Sequence, residues 1–334
     1  MDSSGISFAD NQYFHLERVA EGVFAAIAVP GAGAWGNAGI VDLGDQTLIF
    51  DTFVTPAAAR ILRLTAEHLT GRRVGWVVNS HHHMDHVFGN EVFTESEIVA
   101  TGRTHELIIT RGAELIEDAK AHPEALDALR EQLEQEPDEQ KQRELSQMLG
   151  EYRALATVLP RLRLRPPNLT FDGRLVFHGL HRSAELLTYG GGHTDSDAFL
   201  YLPNERVAFM GDLVQVGFHP SMRQGDPEQW DRILEQVGHL APEIVVPGHG
   251  PVGNAWDIVR MRQYLTDLQQ LTVELLSHGD PAAPAASVPI PTPYTAWEGP
   301  SVFTQNIQFL LERAAQAPAA DADGAAAAQE ADLA

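Results

Sequence analysis

The segment from Val77 to His86 constrains this chain more than any other, because an apolar stretch typical of a buried strand runs directly into a group of imidazoles and one carboxylate. Its last six residues are His-His-His-Met-Asp-His. In extended backbone, side chains two residues apart lie on the same side, so His81 and His83 can converge on one metal ion. His82 is then expected to point away. The pattern therefore predicts a metal-binding strand end.

Asp85 and His86 extend this group toward a second ion. They follow at the turn that opens the next predicted helix, where their side chains can supply further ligands. Imidazole and carboxylate donors without thiolate suit Zn²⁺, but also Fe²⁺ and Mn²⁺. The chain contains no cysteine, so thiolate ligands, disulfides and a cysteine nucleophile are excluded. The donor set alone leaves the metal open among these three.

The charge balance disfavours two classes of partner. Against 46 Asp and Glu residues stand only 23 Lys and Arg, a formal charge of -23 that repels nucleic-acid phosphates and anionic membrane surfaces. Residues 1–11 lack the basic and apolar regions of a signal peptide. The apolar run over 23–35 is broken by Pro30 and is too short to span a bilayer. We expect a cytoplasmic protein that acts on a small molecule, without a nucleic-acid or membrane partner.

The hydrophobic pattern divides the chain into strand-rich parts around a helical insertion. Runs of β-branched residues between glycines predict a β-meander over 13–53, and Pro56 to Thr70 has helical spacing. Over 103–158, Glu, Gln, Leu and Ala dominate, and leucines recur every three or four residues. This composition predicts two or three helices that form either a solvated appendage or a lid or homo-oligomer (dimer) contact over the site. Strands then resume, with Asp172-Gly173 predicted as a hairpin turn.

The domain boundaries follow from the same pattern. We expect a single domain over 13–312 that includes the insertion. An Ala/Asp/Glu-rich tail over 313–334 is expected to be disordered, because it has too little apolar surface to form a core.

Three further His or Asp residues share the context of the first cluster, since each follows an apolar run and lies among glycines. His193 follows three glycines, Asp212 follows the run Val207 to Gly211, and His249 lies between Gly248 and Gly250. The carboxyl ends of neighbouring strands meet at one edge of a sheet, where α/β proteins place their sites. The four clusters are therefore expected to meet.

The order and spacing of these four motifs resemble those of the metallo-β-lactamase superfamily, over about residues 15–255. The resemblance implies an α/β (α+β) fold of the four-layer αββα sandwich type with a two-metal site at one edge of the sheets. It implies that the first ion is bound by three histidines, the second by the next three donors, and that one carboxylate bridges both. In that order, the implied ligands are His81, His83 and His193, then Asp85, His86 and His249, and finally Asp212.

The resemblance also sets the expected chemistry. The commonest β-lactamases have a cysteine where this chain has Asp212, so the ligand set is more similar to the glyoxalase II, lactonase and phosphodiesterase-like branches. We expect two divalent ions, with zinc as the first choice and iron or manganese as alternatives. A hydroxide shared between them would attack an ester, thioester, lactone or amide of a small molecule, with Asp85 orienting it or accepting its proton.

Two alternatives stay open at this stage. The chain also resembles the persulfide dioxygenase branch, in which a single non-haem Fe²⁺ gives an oxidoreductase. A catalytically idle scaffold stabilised by metal is the other. Five further residues are candidates for positioning the ligands or for contacting substrate: Asp51, Ser80, Asp195, Asp197 and His219.

Overall fold

Two β-sheets face each other, and helices cover both outer faces. The computed structural model of the protein describes residues 11–122, 124–277 and 285–316. The predicted four-layer αββα sandwich is confirmed. No helix within these described ranges is both long enough and apolar enough to cross a lipid bilayer.

The first sheet has seven strands in chain order. They are β1 (Phe14–Ala20), β2 (Val23–Ala28), β3 (Ala38–Asp42), β4 (Thr47–Phe50), β5 (Val74–Val78), β6 (Glu97–Thr101) and β7 (Leu169–Phe171). Strands β1 to β4 form the predicted antiparallel meander, and β4 to β7 are parallel. Because β4 and β5 run in the same direction, both end at the same edge of the sheet.

The second sheet has the strand order β13-β12-β11-β10-β9-β8. Its strands are β8 (Arg174–His178), β9 (Ser183–Gly190), β10 (Asp197–Leu202), β11 (Val207–Phe209), β12 (Ile244–Val246) and β13 (Gly253–Asn254). Only the β11–β12 pair is parallel. These two strands therefore also end at a common edge.

Eight α-helices lie in the described part of the chain. They are α1 (Pro56–Thr70), α2 (Met84–Val87), α3 (Gly102–Ala121), α4 (Ala125–Gln135), α5 (Glu139–Val158), α6 (Pro227–His239), α7 (Ala255–Ser277) and α8 (Pro300–Gln316). Helix α1 packs on the outer face of the first sheet, and α6, α7 and α8 pack on the outer face of the second.

The core between the sheets is apolar and tightly packed. Phe50 of β4 and Phe209 of β11 meet there with ring centroids 5.8 Å apart. Gly39 makes room for this contact, since a Cβ at that position would lie 2.5 Å from the ring of Phe209. Each fully buried side chain of this size contributes about 1.5 to 3 kcal/mol. This packing holds the two sheets, and hence their ends, in a fixed relation.

Helix α1 has the bounds that its sequence predicts, for local reasons. The Thr55 hydroxyl accepts a hydrogen bond from the backbone N–H of Ala58, and Pro56 occupies the first turn, where no N–H is needed. Gly71 ends the helix in the left-handed conformation, at φ 65°. The helix thereby connects β4 to β5 in parallel, which places the histidine-rich motif after β5.

The predicted insertion over 103–158 consists of three helices, α3, α4 and α5. Apolar side chains of α3 and α5, among them Ile108 and Leu155, pack on Val87 and Phe88 beside the strand ends. The insertion is thus attached next to the histidine-rich motif.

Two boundaries differ from expectation. Asp172-Gly173 does not form a hairpin, since β7 pairs with β6 in the first sheet while β8 pairs with β9 in the second. The turn instead carries the chain from one sheet to the other, a distinction that local turn chemistry does not encode. Helix α8 continues to Gln316, so the tail predicted over 313–334 begins with helical residues, and its remainder lies outside the described residues. The single-domain boundary stays a prediction.

Candidate metal centre

Four strand ends bring the predicted ligands to one place between the sheets. The histidine-rich motif follows β5, and His193 lies in the loop between β9 and β10. Asp212 lies in a single 3-10 turn, Gly211–Leu213, just after β11. His249 follows β12. The fold thus explains why residues more than one hundred positions apart share one site.

The seven predicted ligands form two groups of converging donor atoms. Within each group the donor atoms lie within 4.8 Å of one another, a spacing that a single ion can fill. The first group consists of His81, His83, His193 and Asp212, and the second of Asp85, His86 and His249. His82 belongs to neither group, as the strand alternation predicts.

The Asp212 carboxylate contacts members of both groups. Its Oδ2 lies 3.3 Å from His193 Nε2 and 3.3 Å from His249 Nε2, while its Oδ1 lies 3.2 Å from His86 Nε2. Gly248 permits this placement, because a Cβ there would lie 1.9 Å from Asp212 Oδ1. The position between the groups is the one required of a bridging ligand.

Several donor atoms at the centre fit bound metal ions. The Nε2 atoms of His81 and His86 and the Oδ1 of Asp212 are buried and make no hydrogen bond of acceptable geometry within the described structure. Buried polar atoms without a partner are rare because they are costly. Divalent ions coordinated by these atoms would remove that cost, so the residues present fit the implied metal pair.

Asp51 and Ser80 fix the orientation of two of these histidines. Asp51 Oδ2 accepts hydrogen bonds from Ser80 Oγ at 2.7 Å and from His86 Nδ1 at 2.9 Å, and its Oδ1 accepts the Ser80 N–H at 2.8 Å. Since the Ser80 hydroxyl donates to Asp51, its oxygen can accept from His81 Nδ1, 2.9 Å away. Both histidines then carry their proton on Nδ1 and leave Nε2 free for a metal. The structure places these two sequence candidates directly behind the cluster.

The electrostatics of the cluster favour charged carboxylates. Burial opposes ionisation of Asp85 and Asp212, but the neighbouring imidazoles of His86 and His249 outweigh it and hold the pKa of both carboxyls well below the usual range. Burial lowers the pKa of His249, yet Asp212 and Asp85 raise it to about 10. At His193 burial dominates and lowers the pKa to about 3, so this imidazole is a neutral donor. Ionised carboxylates and neutral imidazoles are the forms that bind metal, so an ion bound at His249 would replace the proton that the two carboxylates favour there.

The other three sequence candidates lie further out. Asp197 is buried and accepts hydrogen bonds from the N–H groups of Gly192 and Thr194, so it shapes the loop that carries His193. Burial raises the pKa of this carboxyl to about 7. Asp195 lies at the surface, where it pairs with Arg103 at 2.6 Å, and it is not brought into the cluster.

His219 is a cavity residue rather than a member of the cluster. It lines the cavity over the metal centre, and its Nδ1 lies 3.0 Å from the hydroxyl of Tyr264. Burial lowers its pKa to about 4, so the ring is neutral near pH 7.

Three residues at the centre have no counterpart among the sequence candidates. Gln215 Nε2 donates to Asp212 Oδ2 at 2.9 Å, and Gln224 Oε1 lies 3.1 Å from His83 Nε2. Asn37 Nδ2 donates to the carbonyls of Pro247 and Gly250, which fixes the loop around His249. Only the three-residue distance from Asp212 could have pointed to Gln215. The other two are joined to the site by the fold alone.

A cavity of about 530 Å³ opens over the two donor groups. Helix α5 of the insertion forms part of its wall through Glu144, Gln147, Met148 and Glu151, so the insertion does cover one side of the site. Much of the remaining wall is apolar. It includes Ile27, Pro30, Trp35, Phe218, Pro251 and Val302. None of the described residues that line this cavity is a lysine or an arginine.

Glu151 attaches the insertion to the first sheet. Its two carboxylate oxygens accept hydrogen bonds from the N–H groups of Gly31 and Gly33, at 2.7 and 2.8 Å, in the loop between β2 and β3. Burial raises the pKa of this carboxyl to about 7, although both hydrogen bonds oppose the rise. Trp35 of the same loop packs edge-on against Tyr152 of α5. These contacts fix α5 over the cavity.

Fold and site together define an αββα sandwich with a cluster of histidines and aspartates that could hold metal ions at the edge of its sheets. The sequence model of the metallo-beta-lactamase superfamily matches residues 36–249, and the chain belongs to that superfamily. The family expected from the motifs is thereby confirmed. Among curated proteins, none matches this sequence.

Solved structures agree with the fold. A metallo-beta-lactamase from Hirschia baltica superposes with a TM-score of 0.55 at 16% identity, covering 76% of this chain and 98% of that one. A metallo-beta-lactamase from Pontibacter korlensis gives 0.54 at 18% identity, covering 76% and 99%. At these identities the likeness concerns the fold and does not extend to the substrate.

Proposed function

We propose that the protein is a binuclear metal-dependent hydrolase that cleaves an ester, thioester, lactone or amide of a small molecule. The observation that carries the proposal is the Asp212 carboxylate, which contacts donors of both groups and can therefore bridge two ions. Bound there, two divalent ions would polarise the substrate carbonyl and make a water molecule acidic enough to ionise near neutral pH. Zinc is the first choice for these ions, and iron or manganese is the alternative.

The chain's own residues provide the rest of the chemistry. Asp85 Oδ2 lies 3.3 Å from His249 Nε2 at the floor of the cavity, and its low pKa keeps it ionised. In this position the carboxylate can accept a proton from the attacking water. The apolar cavity wall binds the carbon skeleton of the substrate and excludes bulk water, which strengthens the electrostatic interactions inside. The hydrogen bonds of Asp51 and Ser80 keep the histidine rings in place.

The second donor group favours this function over the alternatives. A mononuclear iron oxygenase needs one facial set of ligands and leaves Asp85, His86 and His249 without a role. These three donor atoms nevertheless converge as closely as the first group. A metal-stabilised scaffold does not require a large cavity beside its ions. Both observations support a binuclear catalyst.

The test combines metal analysis with a substrate panel. We expect close to two first-row metal ions per chain, turnover of chromogenic esters, thioesters or lactones, and no dependence on oxygen. Asp212→Ala should lose at least one ion and most of the activity, whereas Asp172→Ala, in an exposed turn, should keep both. Purified protein without metal, or with a single iron and oxygen-dependent turnover, would refute the proposal.

A further inference from the structure

The insertion contains a second cavity next to the metal centre. It has a volume of about 630 Å³ and lies between α3, α4 and α5. Its walls are largely apolar, with contributions from Leu115, Leu126, Leu129 and Leu155. Together with the cavity over the metal centre, it provides room for a ligand much longer than the reacting group alone.

The two cavities adjoin at a small set of side chains. Met148 of α5 lines both of them. Met84 lines the second cavity and lies in sequence between His83 and Asp85, which line the first. Methionine side chains are unbranched and adapt their shape readily, so they can move aside for a ligand. A shift of these two side chains would let a flexible chain extend from one cavity into the other.

Helix α4 leaves its apolar side incompletely covered. None of its residues is fully buried, and Leu126 and Leu129 are half-exposed where they line the second cavity. Together with the other apolar side chains that line the cavity, these leucines form a contiguous apolar surface that a ligand could cover. Helix α4 thus forms one wall of the second cavity without filling it.

The charged residues indicate how a ligand would be oriented across the two cavities. Where the last turn of α3 lines the second cavity lie Lys120 and the pair Asp118 and His122, whose Oδ1 and Nε2 are 3.6 Å apart. The reacting end lies at the metal centre, whose described wall offers no lysine or arginine to bind a carboxylate. An uncharged ligand with an apolar tail matches both cavities, and the charged residues at the end of α3 limit the length of that tail.

We infer that the substrate carries a linear apolar chain that passes Met148 and lies in the cavity of the insertion. The inference rests on the proposed hydrolase function and adds the substrate class to it. Burial of one methylene contributes about 0.8 kcal/mol, or about fourfold in binding. For p-nitrophenyl esters from acetyl to decanoyl, kcat/KM should rise two- to fourfold per methylene and then level off when the tail reaches the charged residues at the end of α3.

Two variants test the location of the tail. Leu129→Trp and Ala156→Phe each add bulk inside the second cavity, from α4 and α5 respectively. Each should lower the ratio of the decanoyl to the acetyl kcat/KM at least tenfold. Leu180→Trp, at a loop leucine that is 81% exposed, is the matched control and should leave the ratio unchanged. Circular dichroism identifies a variant that fails to fold, and the other variant then decides.

A binding measurement separates this inference from the hydrolase proposal. The uncharged fluorescent probe N-phenyl-1-naphthylamine should bind saturably to the unsubstituted protein and at least tenfold more weakly to the two cavity variants. Such binding without any ester turnover would support the cavity and refute the hydrolase. Ester turnover with neither chain-length dependence nor probe binding would refute the cavity and leave the hydrolase intact. Dimerisation that both cavity variants abolish, with no probe binding, would show that a second copy covers the cavity and would also overturn the inference.

Discussion

Replacing Asp51 by asparagine tests whether its hydrogen bonds orient the histidine rings of the candidate metal centre. In the structure, Asp51 Oδ2 accepts from both Ser80 Oγ and His86 Nδ1, and Oδ1 accepts the Ser80 N–H. An asparagine amide has one acceptor oxygen and one NH₂ group, so in either orientation it places a donor against a donor. If the NH₂ faces His86, the ring is driven to protonate Nε2, the atom that would bind metal in the proposed site.

The expected loss can be estimated from these contacts. Removing the partner that orients a metal-binding histidine typically costs 10- to 100-fold in metal affinity, or about 1.4 to 2.7 kcal/mol. The fold itself should survive. Asp51 has φ 59°, a conformation that asparagine tolerates, and burial already raises the pKa of its carboxyl, so a neutral amide of the same shape removes a burial cost.

The assay is metal retention against a competing chelator, followed by elemental analysis. For Asp51→Asn we expect the chelator concentration at half-loss to fall 10- to 100-fold for at least one ion, with an unchanged circular dichroism spectrum. Asp45→Asn, in an exposed turn, is the matched control and should behave like the unsubstituted protein. If Asp51→Asn retained both ions as tightly as the control, the role assigned to this hydrogen-bond network would be wrong.

Three further predictions concern the pH dependence of stability, the effect of metal removal and the charge of the substrate. Glu151→Gln should change the pH dependence of stability. The folded-state pKa of Glu151, about 7, lies above its usual value of 4.5, so its contribution favours the fold at low pH and is lost as pH rises through 7. The free energy of unfolding of the variant relative to the unsubstituted protein should therefore increase between pH 5 and 8, by at most about 3 kcal/mol. A difference that stays constant with pH, or that the exposed control Glu134→Gln reproduces, would contradict this assignment. Removal of metal by a chelator should lower the Tm, since ligands that bind the folded state at 100 times Kd stabilise it by about 2.7 kcal/mol. Zinc should restore the Tm, and an unaltered melting curve would count against a metal site. Finally, an uncharged ester should show a higher kcat/KM than the same ester with an added carboxylate, because Glu144, Glu151 and Glu298 line the cavity without a described cationic partner there. The opposite preference would refute this reading of the cavity charge.

The sequence predicted the proposed metal ligands better than the residues that contact those ligands, and the reason is physical. His81, His193, Asp212 and His249 each follow an apolar run, and a strand end fixes a side chain within a few residues of a recognisable pattern. Gln224 contacts His83 across 141 residues from a loop without any such pattern. Contacts of this kind depend on how loops pack, which local sequence does not encode.

The sheet topology shows the same limit. The bounds of α1 agree with the sequence prediction, because a capping threonine, a first-turn proline and a terminal glycine act locally. The turn at Asp172-Gly173 has equally clear local chemistry, yet it joins two different sheets. Turn residues specify a change of direction, whereas the pairing partner of a strand is decided by burial in the complete core. Local sequence therefore predicted the secondary-structure elements more reliably than it predicted which strands pair.

Different parts of the fold carry the proposed metal ligands and line the cavity in which a substrate would bind. The seven donors follow strands that pack in the apolar core between the two sheets, so the positions of the donors depend on that core. The cavity wall comes largely from loops and from α5, whose Glu151 and Tyr152 contact the loop between β2 and β3. Changes in the insertion can therefore alter the substrate without disturbing the metal ligands. Grafting a different insertion between Gly102 and Leu159 should, on this reasoning, change the chain-length preference and leave metal stoichiometry at two. Loss of both ions on such replacement would show that the insertion supports the centre itself.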